Sequence, residues 1–141
     1  MPGATKAILI EAPIEKVFGI ITDYEKYVEF LPEVKKIEIS GRSGNQVDVH
    51  HEVAMVATVR YTLRLTEDKP SRVSWSLVKG EFMRQNQGSW VLESQGDART
   101  QATYSIEMTF GPLVPRAVVN ALVETSLPKM LSAFKARAEA K

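Results

Sequence analysis

Three regimes of hydrophobic spacing divide the chain. Residues 4–12 predict a short strand with Ile8 and Ile10 on one face, ended by Pro13. The spacing of Val17, Phe18 and Ile21 predicts a short helix from Ile14 to Thr22. Asp23 is placed to cap a second short helix through Tyr24, Tyr27, Phe30 and Leu31, stopped near Pro32. Helices this short are not stable alone and must lie on something larger.

From Val34 the period becomes two. Ile37 and Ile39 alternate with Lys36 and Glu38, and Val47, Val49, His51 and Val53 with Asp48, His50 and Glu52. Val59, Tyr61, Leu63 and Leu65 alternate with Thr58, Arg60, Thr62 and Arg64, then Val73, Trp75 and Leu77 with serines. Trp90 and Leu92 belong to the next strand, and Ala102, Tyr104, Ile106, Met108 and Phe110 to the last. Turn residues separate the runs at 41–45, 68–70, 80 and 95–97. The segment Met55-Val56-Ala57 lacks Gly, Asn and Pro, so a bulge in a long strand is expected there, an exposed apolar tip being the alternative. Alternation of this kind predicts an antiparallel sheet with one wet and one covered face. The cover is a predicted helix of some 25 residues after Gly111-Pro112. On it Val119, Leu122, Val123, Ser126, Leu127, Met130, Ala133 and Phe134 form one stripe. Pro128 falls on the opposite side, where it would bend the helix around a curved sheet.

The pattern therefore predicts a single α+β domain over residues 1–141. Its elements are a strand, two short helices, six more strands and a long C-terminal helix. At 141 residues such a chain can bury a core without staples, and its 44% hydrophobic and 25% charged residues are those of a globular domain. There are no cysteines, which excludes disulfides, thiolate clusters and a cysteine nucleophile. The net charge of +1 offers no general field for nucleic acid, although residues 112–141 carry five basic against two acidic side chains. No apolar run reaches membrane-span length, so a soluble cytoplasmic protein is expected.

A strongly curved sheet of about seven strands wrapped on one long helix resembles the helix-grip fold. That is the fold of START lipid-transfer domains, the birch-pollen-allergen-like proteins and the polyketide cyclase/dehydrase superfamily. Three stretches carry the likeness further. Asp23-Tyr24-Glu25-Lys26-Tyr27-Val28-Glu29-Phe30-Leu31-Pro32 resembles the D-x-x-x-Y-x-x-F-L-P segment of the coenzyme Q-binding and ribosome-association-toxin branch. Gly80-Glu81-Phe82 with Gly88-Ser89-Trp90 is similar to its G-x-F…G-x-W hairpin, and Ala133-Phe134-Lys135-Ala136-Arg137-Ala138 to its closing A-F-x-x-R-A. A generic cyclase/dehydrase-like protein fits equally well. The resemblance implies a ligand cavity between sheet and C-terminal helix.

The residues exclude much chemistry. His50 and His51 are neighbours on a strand, point to opposite faces and cannot chelate one ion together, so neither metal nor other cofactor is expected. No nucleophile elbow and no glycine-rich phosphate loop are present. Arg60 and Arg64 share a face but alternate with threonines, which suits pairing with Asp48, Glu52 or Glu107 better than direct nucleic-acid contact. What remains is the covered face. By parity His51, Tyr61, Trp75, Trp90 and Tyr104 point inward, and Ser126 sits in the helix stripe. Each residue alone is equally at home bonding a carbonyl in a packed core. Together, so many polar tips suit a mostly apolar cavity with a few orienting hydrogen bonds.

The candidate cavity residues are Tyr27, Phe30, Val49, His51, Tyr61, Leu63 and Trp75, together with Trp90, Tyr104, Met108, Leu122, Ser126 and Met130. The first reading is a non-catalytic carrier or chaperone for an apolar small molecule: a polyprenyl quinone, a lipid or a polyketide-like aromatic. The second is a polyketide cyclase or aromatase using His51, Tyr61 and Tyr104 in the same cavity. The third is a toxin-like association with ribosomal particles. Transient contact with a membrane surface or ribosome, and a monomer or weak dimer, complete the expectations.

Overall fold

The computed structural model describes residues 3–54, 58–121, 124 and 126–140. Its seven strands are β1 (Gly3–Ile10), β2 (Val34–Ser43), β3 (Gln46–Ala54), β4 (Thr58–Asp68), β5 (Arg72–Gly80), β6 (Met83–Ser94) and β7 (Thr100–Phe110). They form one antiparallel sheet in the order β1-β7-β6-β5-β4-β3-β2. All neighbours but β1 and β7 are consecutive in the chain, so six strands make a simple meander and the first closes beside the last. Helix α1 (Ile14–Ile21), a 3₁₀ turn (Tyr24–Lys26) and the single turn α2 (Tyr27–Phe30) follow β1, and α3 (Arg116–Ala121) and α4 (Leu127–Glu139) follow β7. This is the helix-grip arrangement.

Period-two spacing becomes rows across the sheet. Leu65 lies opposite Trp75, Trp75 opposite Gly88 and Gly88 opposite Ile106, while Val73, Trp90 and Tyr104 form the adjacent row. These residues face the helices and are buried, except Gly88. The other face carries ion pairs between neighbouring strands: Arg64 with Asp48 at 2.9 Å and Arg60 with Glu52 at 3.0 Å. Glu107, the third expected partner, is not among theirs; Arg60 also reaches Glu81, at 3.7 Å. Solvent and salt screen exposed pairs of this kind, so the buried rows hold the sheet.

Three local expectations change. The single C-terminal helix resolves into α3 and α4, with Glu124 and Ser126 in π-type turns between them. Pro128 lies in the first turn of α4, a position that suits proline. Helix α3 buries none of its residues, and Val119 is only half covered; α4 buries Leu127, Leu131, Phe134 and Ala138. Asp23 makes no side-chain cap, because the Lys26 N–H that such a cap would take already donates to the Asp23 carbonyl. Ala54 of β3 pairs with Thr58 of β4, so the chain reverses there instead of running on as one bulged strand; residues 55–57 lie outside the described residues.

Polar ties fasten the last turns of α4. Lys135 Nζ donates to the Leu9 carbonyl, the Glu11 N–H donates to Glu139, and Lys16 Nζ donates to the Ala140 carbonyl, each at 2.8 Å. Arg137 pairs with Glu29 at 2.6 Å and lies over the Phe30 ring. At the opposite end, Phe82 has a φ of 63°, a left-handed conformation that costs a non-glycine residue about 1–2 kcal/mol.

Gly88 is required by close approach. A Cβ there would meet the Ser105 carbonyl oxygen at 2.1 Å and the Trp75 ring at 2.8 Å, whereas Gly41 faces open space. Gly88→Ala is expected to destabilise the fold by about 1–3 kcal/mol, while Gly41→Ala stays within about 0.5 kcal/mol. Paired urea unfolding curves measure both.

Candidate ligand cavity

A cavity of about 290 Å³ lies between the sheet and α4. Its sheet wall comes from the inward rows: His51 and Val53 of β3, Tyr61, Leu63 and Leu65 of β4, and Val73 and Trp75 of β5. Asn86 and Trp90 of β6 continue it, followed by Tyr104, Ile106 and Met108 of β7. Ile21, Tyr24 and Tyr27 line one end, and the segment from Leu31 to Val34 another part of the rim. The helical wall is Ser126, Leu127, Lys129, Met130, Ala133 and Phe134.

The residues expected from parity mostly meet here. Tyr27, His51, Tyr61, Leu63 and Trp75 line the space, as do Trp90, Tyr104, Met108, Ser126 and Met130. Phe30 does not: its ring packs edge-on to Phe134 and under the Arg137 guanidinium, outside the wall. Val49 does not either. It is fully buried in the packed core, and on β3 only the residues beyond it, His51 and Val53, reach the space. Leu122 lies outside the described residues.

The polar tips divide into satisfied and free. Trp75 Nε1 donates to Asn86 Oδ1 at 3.1 Å, and the Tyr27 hydroxyl donates to the Ile21 carbonyl. The Tyr24 hydroxyl donates to Glu67 Oε2 at 2.7 Å, and Arg42 holds that carboxylate from the other side. Among the described residues the Tyr61 and Tyr104 hydroxyls have no hydrogen-bond partner, yet no side-chain nitrogen or oxygen is both sealed and unpaired. The two hydroxyls therefore open onto the cavity. Burial pushes both phenols well above the ordinary tyrosine range, so they are neutral donors.

His51 stacks on Tyr61 with ring centres 4.8 Å apart and planes 8° from parallel. Its Nδ1 lies 3.1 Å from the Val49 carbonyl, which can only accept, so Nδ1 carries the proton and Nε2 keeps a free lone pair. Burial lowers its pKa from 6.5 to about 4, which keeps the ring neutral near pH 7. His50 turns to the other face, with Nδ1 3.2 Å from the Thr62 hydroxyl. Among the described residues no three His, Asp or Glu side chains converge on one point. Among the described residues the ionic ones in the wall are Glu33 and Lys129, both outside the sheet.

Asn86 escaped the sequence reading, hidden in the polar run Arg84-Gln85-Asn86-Gln87. Counting back by twos from Trp90 places it inward, and the register agrees, with Asn86 opposite Met108. Glu33 and Lys129 left no comparable signal, because a loop and a helix end join the wall only through tertiary packing.

Solved structures share this architecture. The Zhui aromatase/cyclase from Streptomyces sp. R1128 matches with a TM-score of 0.88 at 18% identity, over 97% of this chain and 93% of that one. A START superfamily protein from Mycobacterium smegmatis matches at 0.85 and 18% identity, over 97% of both chains. A STAR-related lipid transfer protein fragment from Xanthomonas axonopodis matches at 0.81 and 16% identity, over 98% of this chain and 86% of that one. No curated protein matches the sequence. At such identities the structures establish the common fold alone. The model of the family described as polyketide cyclase / dehydrase and lipid transport matches residues 10–135, nearly the whole chain, and the protein belongs to that family.

Proposed function

We propose that the protein is a carrier or chaperone that binds a neutral, ring-bearing small molecule in this cavity. One observation carries the reading: two phenols with no partner among the described residues, Tyr61 and Tyr104, open onto a mostly apolar, aromatic-walled space. Hydroxyls that open onto the space are placed to donate to a ligand oxygen, and each such bond contributes about 0.5–1.5 kcal/mol. Aromatic walls from Trp75, Trp90 and Phe134 favour flat rings, and about 290 Å³ lies at the small end of ligand sites. That size suits a compact aromatic of the polyketide kind better than a long polyprenyl chain. The likeness to an aromatase/cyclase and to a STAR-related lipid transfer protein supports a small apolar ligand.

A second reading, catalysis, draws on the free Nε2 of His51. A neutral imidazole stacked on Tyr61 can accept a proton from carbon beside a ketone, while a tyrosine hydroxyl bonds the developing enolate oxygen.

Fluorenone and fluorene differ only in a carbonyl oxygen and serve as matched probes. Fluorenone is expected to bind more tightly, and Tyr104→Phe to lower its affinity about 3–10-fold while leaving fluorene unchanged. Ala133→Trp, which fills the cavity from the helix side, is expected to abolish binding of both; calorimetric titration reads each. Deuterium exchange at the α-carbon of 2-tetralone, followed by NMR, tests catalysis: exchange lost in His51→Gln supports it, and no exchange above buffer ends it.

The neutral His51 also sets a pH dependence. Its folded pKa is about 4 and its ordinary value 6.5, so between these the unfolded chain binds more protons and stability rises with pH. On acidification through that window the protein is expected to lose up to about 3 kcal/mol through this residue. His51→Gln should show a correspondingly flatter stability profile between pH 7 and pH 4 in urea unfolding.

A further inference from the structure

A line of backbone hydrogen bonds ties together the loops at one end of the molecule. The Ala54 N–H donates to the Glu33 carbonyl at 2.7 Å, and the Glu81 N–H to the Arg60 carbonyl at 2.9 Å. The Gly111 N–H donates to the Phe82 carbonyl at 2.9 Å, and the Val114 N–H to the Gly111 carbonyl at 3.2 Å. Glu33 lines the cavity, and Lys129 lines it from the first turn of α4, so the rim borders the cavity.

Two apolar side chains stand out from it. Phe82 is 50% exposed at the β5–β6 turn and Leu113 is 85% exposed in the turn after β7. Phe82 holds the left-handed conformation, which a glycine would adopt freely. Its neighbour's N–H is bonded to strand β4 and its own carbonyl to the turn after β7, so the strained turn is held from both sides. The fold thus bears backbone strain to present an aromatic ring to solvent, a pattern that accompanies functional surfaces. Arg84 and Arg116, each within three residues of one of these tips, and Lys79 and Lys129 have no ion-pair partner among the described residues. Glu81, the carboxylate beside Phe82, is engaged by Arg60 at 3.7 Å.

We propose that this rim docks on an anionic lipid bilayer, with Phe82 and Leu113 entering the interface and Arg84 and Arg116 facing the headgroups. Two apolar residues on separate turn tips, flanked by free cations, fit a soft charged interface better than the broad complementary surface of a protein partner. No described helix is long and apolar enough to cross a membrane, so the contact is peripheral. The inference does not rest on what the cavity binds, because neither Phe82 nor Leu113 lines it.

Flotation with phosphatidylcholine vesicles, with and without phosphatidylglycerol, tests it. The protein is expected to float with the anionic vesicles at low salt and to be released as salt rises. Phe82→Gly should lower the partition at least about tenfold, without lowering the thermal midpoint and without changing fluorene binding. Arg84→Gln with Arg116→Gln should lower it about 25-fold, at roughly 1 kcal/mol per charge. Wild-type protein that ignores anionic vesicles at low salt overturns the proposal, as does a Phe82→Gly variant that floats equally well. A fall in midpoint for Phe82→Gly would make Phe82 a packing residue. Sedimentation showing a dimer lost in that variant would give the rim to a second copy of the chain, and either result also overturns it.

Discussion

Phe134 stands edge-on to three aromatic rings at once: Tyr27 at 5.3 Å, Phe30 at 5.1 Å and Trp90 at 5.3 Å between centres. These partners belong to α2 and β6, so one side chain of α4 fastens the helix to the sheet and to the short segment after β1. Each such pair contributes about 0.5–1.5 kcal/mol beyond the area it buries. The dependence runs outward from there. A single helical turn such as α2 has no stability of its own, and the cavity exists only while α2 and α4 are held off the sheet by rings too large to let it collapse. Trp90 in turn meets Tyr104, and Tyr104 meets Trp75, so the hub continues into the cavity wall.

Charge is separated by the sheet. Its outer face carries Asp48, Glu52, Arg60 and Arg64 in mutual pairs, while the strands contribute only neutral donors and acceptors to the space on its inner face, Glu33 and Lys129 joining the wall from loop and helix. The same segregation keeps His51 uncharged and its Tyr61 neighbour protonated. The strand side of the space thus offers directional hydrogen bonds without a charged side chain.

Much of this was legible because strand alternation is a binary signal. Trp75, Trp90 and Tyr104 could be placed inward from parity alone, and all three line the cavity. Parity tells direction, however, and not where empty space ends. Val49 faces inward and meets only packed neighbours, and Phe30 meets Phe134 from outside. Asn86 was readable by counting from Trp90, but its polar neighbours masked it, and the bulge between Met83 and Gln85 shifts the count further along the strand. The stripe of the last helix hid a start signal: Pro128 fits the first turn of α4 as well as it fits an outer face. Glu33 and Lys129 follow from the closing of loop and helix over the sheet, which no local pattern encodes.

The contact between Gly88 and Trp75 has a consequence for how such a protein diversifies. Behind Trp75 the sheet is fixed by its backbone, since at Gly88 the Ser105 carbonyl and the Trp75 ring leave no room for even one added carbon. On the other side Met130 and Ala133 are only partly buried and line the space from the helix. Cavity volume and sheet integrity are thus separable variables, one written in the helix and the other in the strands. A lineage could resize what it binds by exchanging residues along a single helical face, with the seven-stranded frame left unaltered.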